Sequence, residues 1–225
     1  MGSAYVVTGC NRGLGLEFAR QLSRRGDRVI ATARRPEEAE ELNDLGLEVY
    51  PLDVRDTGSV REFASRLGET PIDVVINNAG IGVASKPFGE LDLDDLAGFF
   101  EVNSLGALRV TRALLPHLRM GDRRVVANIS SMMGSIGDNS SGGAYGYRGS
   151  KAALNMLTRS LAIDLRPEGF TCVVLHPGWV STDMGGPEAP MTSAESARGM
   201  ISVIDGLTIE KSGLFLDYMG QRVPW

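Results

Sequence analysis

The feature that most constrains this chain is a regular alternation of short β-branched runs with longer amphipathic stretches. Tyr5–Thr8, Arg28–Ala33, Glu48–Leu52, Val74–Asn77, Arg124–Ile129, Thr171–Leu175 and Leu214–Asp217 read as strands. Between them, helical patterns run over Leu14–Arg25, Pro36–Leu45, Ser59–Leu67, Leu93–Leu118, Tyr147–Leu165 and Ala194–Leu207. Strands separated by helix-length segments are joined by crossovers, and crossovers make a parallel sheet with helices packed on it. Val74-Val75-Ile76 is apolar at consecutive positions rather than alternating, as a strand covered on both faces must be. The expected fold class is therefore α/β, a doubly wound parallel sheet of about seven strands with helices on both faces. One domain covers residues 1–225, with no linker and no internal repeat.

A hydrophobic share of 43% is enough to bury such a sheet. The formal net charge of −5 gives no general attraction to nucleic acid or to an anionic membrane, so an anion site has to be built locally. A small-molecule partner is expected. Cys10 and Cys172 stand far apart, with neither a CxxC nor a metal-ligand spacing, so no disulfide framework and no metal site are expected. That usage fits a reducing cytoplasm. No apolar run reaches the roughly eighteen residues that span a bilayer, and the first residues lack a basic targeting pattern.

Directly after the first strand comes Thr8-Gly9-Cys10-Asn11-Arg12-Gly13-Leu14-Gly15, and then the first helix. Glycines let the backbone turn sharply and approach a pyrophosphate, while free amides at the helix N-terminus supply partial positive charge. In isolation the same residues also serve as a tight connection. The common G-x-G-x-x-G dinucleotide spacing fails, because Phe18 stands where the third glycine belongs. The spacing present, T-G-x-x-x-G-x-G, resembles that of the short-chain dehydrogenase/reductase family, which implies a Rossmann-type domain and a nicotinamide cofactor.

At the end of the second strand, about twenty residues past the glycines, an NAD site places a carboxylate for the ribose hydroxyls. This chain has Ala33-Arg34-Arg35 there. Guanidinium groups grip a 2′-phosphate that a carboxylate repels, and Arg12 in the glycine turn reaches the same phosphate, so NADP(H) is the expected cofactor. Arg34 and Arg35 as a solvated basic edge is the alternative. The resemblance implies further contacts from Asp53 and Val54 after the third strand, with Asp53 on the adenine amino group. It also implies contacts from Asn78, Ala79 and Gly80 in the Asn77-Asn78-Ala79-Gly80 turn after the fourth.

Tyr147 and Lys151 are four residues apart at the start of a helix, which sets both side chains on one face. There an ammonium stabilises a phenolate, and a phenol that titrates near 10 in isolation becomes a usable acid/base once that ammonium and an oxidised nicotinamide draw its pKa down. Tyr145 has Gly149 at the matching offset and is read as packing or pocket lining. Ser131, in the Ser-x-x-Gly register Ser131–Gly134, closes the fifth strand and is placed to hold a carbonyl oxygen against Tyr147. The resemblance implies that Asn103 anchors a water between Lys151 and solvent. It also implies that Pro177, Gly178, Val180 and Thr182 form a loop against the nicotinamide carboxamide. His176 is tempting as a base but is read as structural, since Tyr147 and Lys151 already supply the proton.

The run Gly142–Lys151, the stretch His176–Gly186 and the ending Gly220–Trp225 are similar to Sniffer-type carbonyl reductases and the related bacterial C-factor proteins. The resemblance implies reduction of carbonyl compounds with NADPH, Tyr147 acting as general acid/base. It also leaves open a protein that binds NADP(H) for signalling or sensing with little turnover. Family members often pair through the helices that hold Asn103 and Tyr147, so a homodimer is expected. Between Met184 and Ala194 the chain is short, implying an open pocket; Trp179, Met133 and Met184 are assigned either to its lining or to the core. A serine hydrolase is set aside, because Met133-Gly134-Ser135-Ile136-Gly137 lacks the first glycine of the nucleophile elbow.

Overall fold

A computed structural model describes residues 2–82 and 85–225. The chain opens with β1 (Ala4–Val7), α1 (Gly13–Arg24), β2 (Arg28–Ala33), α2 (Glu40–Asn43), β3 (Glu48–Pro51), α3 (Thr57–Arg66) and β4 (Val74–Asn77). It continues through α4 (Leu93–Phe100), α5 (Ala107–Met120), β5 (Val125–Ile129), α6 (Tyr145–Asp164) and β6 (Thr171–His176). A short ribbon of β7 (Val180–Ser181) and β8 (Met191–Thr192) precedes α7 (Ser193–Asp205) and β9 (Phe215–Asp217).

Seven strands form one parallel sheet in the order β3-β2-β1-β4-β5-β6-β9. The order reverses between β1 and β4, and the crevice of a doubly wound sheet opens at such a reversal, beyond the C-terminal strand ends. Two apolar layers sandwich the sheet. Tyr5, Val7, Val74, Ile76 and Ala127 face Phe18 and Leu22 of α1 and Met200 and Ile204 of α7. Val6, Val75 and Val126 face Phe63 of α3 and Val110, Leu114 and Leu118 of α5. Consecutive apolar residues in β4 thus serve opposite faces, as the sequence requires.

Two expected helices differ. Over Pro36–Leu45 there is only a 3-10 turn at Pro36–Glu38 and the single turn of α2. The segment buries just Ala39 and Leu42 beneath a run of glutamates, too narrow an apolar face to hold a long helix. The stretch Leu93–Leu118 is one path but not one regular helix, since Glu101–Gly106 is a π-helical segment between α4 and α5. There the Ser104 hydroxyl donates to the Phe100 carbonyl at 2.8 Å, and the Asn103 side chain turns inward to bond outside the helix. Both side chains compete with the regular ladder, and π-bulges accommodate such competition.

A buried polar ladder runs between the sheet and the helices behind it. Asn77 Nδ2 donates to Thr111 Oγ1 at 3.0 Å and to Asn128 Oδ1 at 2.8 Å, and Asn128 Nδ2 donates to Thr158 Oγ1 at 2.8 Å. Ser130 Oγ donates to Asn155 Oδ1 at 2.7 Å one step further along. Hydrogen bonds of this kind set rotation and register in a way apolar packing does not, and they fix α5 and α6 against the end of the sheet that carries the site.

Candidate active site

The ends of β1 and β4 are stitched together. Thr8 Oγ1 accepts from the amides of Asn78 and Ala79, each at 3.0 Å. In return Asn78 Nδ2 donates to the carbonyls of Thr8 at 2.9 Å and Gly9 at 3.2 Å. Glycine is required on this path. Gly9 and Gly13 hold φ of +72° and +56°, and a Cβ on Gly15 would lie 2.1 Å from the Gly9 carbonyl oxygen and 2.6 Å from Asn78 Nδ2. No side chain caps α1, whose N-cap is Arg12, and no acidic residue stands in its first turn. Its free amides therefore point into a groove of about 570 Å³.

Asn11, Leu14, Val54, Gly80 and Thr182 line that groove together with Gly9, Arg12, Gly13, Asn78 and Ala79. The arginines in and beside it are committed differently. Arg35 is turned away onto Glu38 at 2.8 Å, whereas Arg34 lines the groove without a salt bridge among the described residues. Asp53 is gripped by the Arg55 fork, with Nη2–Oδ2 at 2.7 Å and Nε–Oδ1 at 3.1 Å. That grip holds its carboxyl below the usual range. Arg12, expected at the phosphate, reaches across to Asp183 at 2.6 Å, an exposed pair that bridges the glycine turn and the loop after β7.

Tyr147 and Lys151, in the first turns of α6, are both buried and do not themselves line the groove; they lie directly behind two residues that do, Lys151 behind Gly80 and Tyr147 behind Met184. The Lys151 ammonium donates to the Ile129 carbonyl at 2.8 Å and lies 5.8 Å from the Tyr147 ring centroid. Burial pulls the lysine down to about 8. The downward draw expected on the phenol from Lys151 and an oxidised nicotinamide is opposed, in the protein alone, by burial. Burial raises its pKa above the ordinary value, and the opposing hydrogen bond from Ser131 is the smaller effect. Ser131 Oγ itself accepts from the Met133 amide at 3.2 Å, which anchors the hydroxyl at the head of a 3-10 turn.

Asn103 is fully engaged by protein groups. Its Oδ1 accepts from the Ile81 amide at 2.8 Å, and its Nδ2 donates to the Ile81 carbonyl at 3.2 Å and to Ser150 Oγ at 3.0 Å. It thereby pins the turn after β4 to α6. A Cβ on Gly80 would meet Asn103 Oδ1 at 3.2 Å and Lys151 Nζ at 3.7 Å, so three expected residues converge on one spot.

The loop after β6 is only partly in the groove. Thr182 lines it, Val180 is buried, and Gly178 makes the turn with φ +84°. The Pro177 carbonyl accepts from Ser196 Oγ at 2.6 Å, which ties the loop to α7. Met184 lines the groove and places its sulfur 3.9 Å from the Tyr147 hydroxyl. Trp179 is exposed and donates from Nε1 to the Gly185 carbonyl at 2.8 Å, while Met133 packs on Tyr147 and Phe99. Tyr145 is exposed and stacks on Phe88. Sequence reasoning missed three contributors: Thr8 as the stitch, Arg55 as the clamp on Asp53, and Asp183 as the partner of Arg12. Only Arg55 left a signal, a base two residues from an acid at a strand end.

These features define a short chain dehydrogenase, and the chain belongs to that family, whose profile matches residues 3–192. The C-signal of Myxococcus xanthus is 55% identical over 166 residues, covering 74% of this chain and 100% of that one. The solved carbonyl reductase Sniffer of D. melanogaster superposes with a TM-score of 0.96 at 32% identity, each chain covered in full. The NADPH-bound carbonyl reductase from chicken fatty liver has a TM-score of 0.93 at 36% identity, with 100% of this chain and 99% of that one covered.

A Gly15→Ala substitution forces the glycine turn off the Asn78 stitch. It is expected to cost about 1–3 kcal/mol in urea unfolding, against less than about 0.5 kcal/mol for Gly89→Ala, whose added Cβ meets nothing within 4 Å. Equal midpoints for the two variants contradict the close packing described here.

Proposed function

We propose that this protein is an NADP(H)-dependent oxidoreductase that reduces carbonyl compounds, with Tyr147 as general acid. The observation that carries the reading is that Tyr147, Ser131, Lys151 and Asn103 gather behind Gly80 and Met184, which line a groove that also holds the glycine turn and Arg34. The family and the NADPH-bound relative support it.

The groove suits the cofactor on its own terms. The glycine turn leaves no Cβ in the way of a pyrophosphate, and the uncapped start of α1 offers amides to it. Arg34 meets a 2′-phosphate, Asp53 held by Arg55 meets the adenine edge, and Thr182 with the Val180 amide meets the carboxamide. When bound, the dihydronicotinamide supplies a hydride to the carbonyl carbon.

The protein's own residues manage the proton. Ser131 donates a hydrogen bond to the carbonyl oxygen, polarising it and setting it beside Tyr147. Burial keeps the Tyr147 phenol protonated at neutral pH, which suits a group that gives its proton to the developing alkoxide. The phenolate left behind faces the Lys151 ammonium across its ring, and Asn103 holds the Ile81 backbone that closes this corner. Met184, flexible and half-exposed beside the phenol, gives the substrate an adaptable apolar neighbour.

A second reading is carried by the 55% identity to the C-signal: an NADP(H)-binding signalling or sensor protein with little turnover. We also place the protein in the reducing cytoplasm, a location supported by two buried free cysteines, and no described helix is long and apolar enough to cross a membrane. A homodimer through the α4 and α6 faces is supported by the exposed Phe100, Met156 and Ile163 there.

Three outcomes follow. Against a panel of aldehydes and ketones with NADPH, the wild type turns over, and Tyr147→Phe loses about a hundredfold or more in kcat with little change in NADPH affinity. A wild type inert across the panel favours the sensor. Arg34→Ala weakens NADPH by about 1.5–3 kcal/mol in a fluorescence titration and leaves NADH almost unchanged; equal weakening removes Arg34 from the 2′-phosphate. Sedimentation velocity gives a dimer that Met156→Asp with Ile163→Asp dissociates, and a monomeric wild type rules the dimer out.

A further inference from the structure

His176 stands at the end of β6, facing the loop that carries Ser131, and the proton-transfer scheme above leaves it unused. Its Nδ1 lies 3.2 Å from the amide of Met132, the residue directly after Ser131. An amide can only donate, so Nδ1 must be the accepting, unprotonated nitrogen and Nε2 carries the proton. The same amide plane joins Met132 to Ser131, whose side chain then receives the Met133 amide and faces Tyr147. Rotating that plane moves the Ser131 hydroxyl.

Other groups hold the loop further along. Asn155 Nδ2 donates to the Gly134 carbonyl at 3.1 Å. The Trp225 carbonyl accepts from Ser135 Oγ at 3.2 Å and from the Gly137 amide at 2.9 Å. Met132 itself packs with Val174, Phe215 and Val223. Among the described residues, the only side chain bonding the first amide after Ser131 is that of His176.

We propose that His176 is a positioning residue: by accepting the Met132 amide on neutral Nδ1 it fixes the backbone from which the Ser131 hydroxyl is presented to Tyr147 and the substrate. The proposal rests on the carbonyl-reductase reading for its consequence in turnover, but its geometry stands apart from that reading. Imidazolium has a proton on both nitrogens and cannot accept this bond. Protonation therefore releases the Met132 amide and loosens Ser131. Two carboxylates act on the ring, Asp217 from β9 and Asp138 from the loop after β5, and both favour the cation. Burial outweighs them and holds the imidazole below its ordinary 6.5. With the folded value depressed, the unfolded chain binds more protons in the window below 6.5. The stability contributed by neutral His176 is therefore present above that value and is lost as pH falls through the folded one.

The chain has two histidines, so nitrogen NMR of the whole protein separates them easily. His117 is the internal reference: its Nδ1 sits 3.1 Å from the Thr70 carbonyl and must carry a proton there. The expected spectrum shows His176 as the Nε2–H form, titrating below 6.5, with the Met132 amide shift following the same curve. In turnover, His176→Ala lowers kcat about tenfold, the loss of one hydrogen bond, while NADPH affinity changes less than about twofold. His176→Asn, whose Oδ1 can take the place of Nδ1, recovers most of that loss and lacks the acid limb that the wild type shows below 6.5. A protonated Nδ1 on His176, a Met132 amide indifferent to its titration, or an acid limb that survives in His176→Asn each overturns the proposal. If no carbonyl is reduced by wild type, the functional reading fails and the NMR result alone decides the positioning.

Discussion

Everything at this site depends on how closely two strand ends approach. Thr8-Gly9 after β1 and Asn78-Ala79 after β4 share four hydrogen bonds, two accepted by the Thr8 hydroxyl and two donated by the Asn78 side-chain amide. The exchange draws the glycine turn against the following loop until a Cβ on Gly9 would lie 2.9 Å from Ala79 Cα. Because the sheet order reverses between these two strands, crossovers leave them in opposite directions and no helix covers the gap. Topology makes a crevice there, and the stitch sets its floor.

A second constraint sets the chemistry. Lys151 and Tyr147 are buried, which ordinarily penalises a charged group, and both pKa shifts follow the sign that burial dictates. The lysine is tolerated because the Ile129 carbonyl accepts its proton at 2.8 Å, and the tyrosine because Ser131 faces it. The π-segment belongs to the same solution. A regular helix has no reason to turn Asn103 toward Ile81, and with that turn Asn103 meets both the β4 loop and Ser150 of α6. One backbone irregularity thus connects the loop after β4 to α6.

The sequence carried the architecture well, for a physical reason. Parallel strands buried on both faces must be short apolar runs, so Val74-Val75-Ile76 and Thr171–Leu175 announce themselves. The glycine turn and the Tyr147/Lys151 pair were legible because spacing along a helix or turn converts directly to placement. What stayed hidden was long-range pairing. Nothing in the neighbourhood of Arg12 points to Asp183, 171 positions away, and nothing near Thr8 points to Asn78, 70 away. The π-segment hid because Leu93–Leu118 has sound helical periodicity; only Asn103 and Ser104, polar inside a buried stretch, mark the break. The burial that raises the Tyr147 pKa in the protein alone was hidden too, because charge is visible in a sequence and burial is not.

His176 shows how the two kinds of information combine. From residues alone a histidine at a strand end is a poor catalytic base beside a Tyr/Lys pair, and on that reading it is set aside as a base. Coordinates then give the set-aside residue a direction: Nδ1 faces the amide next to Ser131, and the ring is surrounded by two carboxylates that still do not charge it. A half-buried, neutral acceptor on which Asp217 and Asp138 also act is a position where desolvation has been set against attraction and has won. The strand that presents His176 continues into the loop from Pro177 to Thr182. This one segment therefore touches the Ser131 loop through His176 and reaches the groove wall through Ser181 and Thr182.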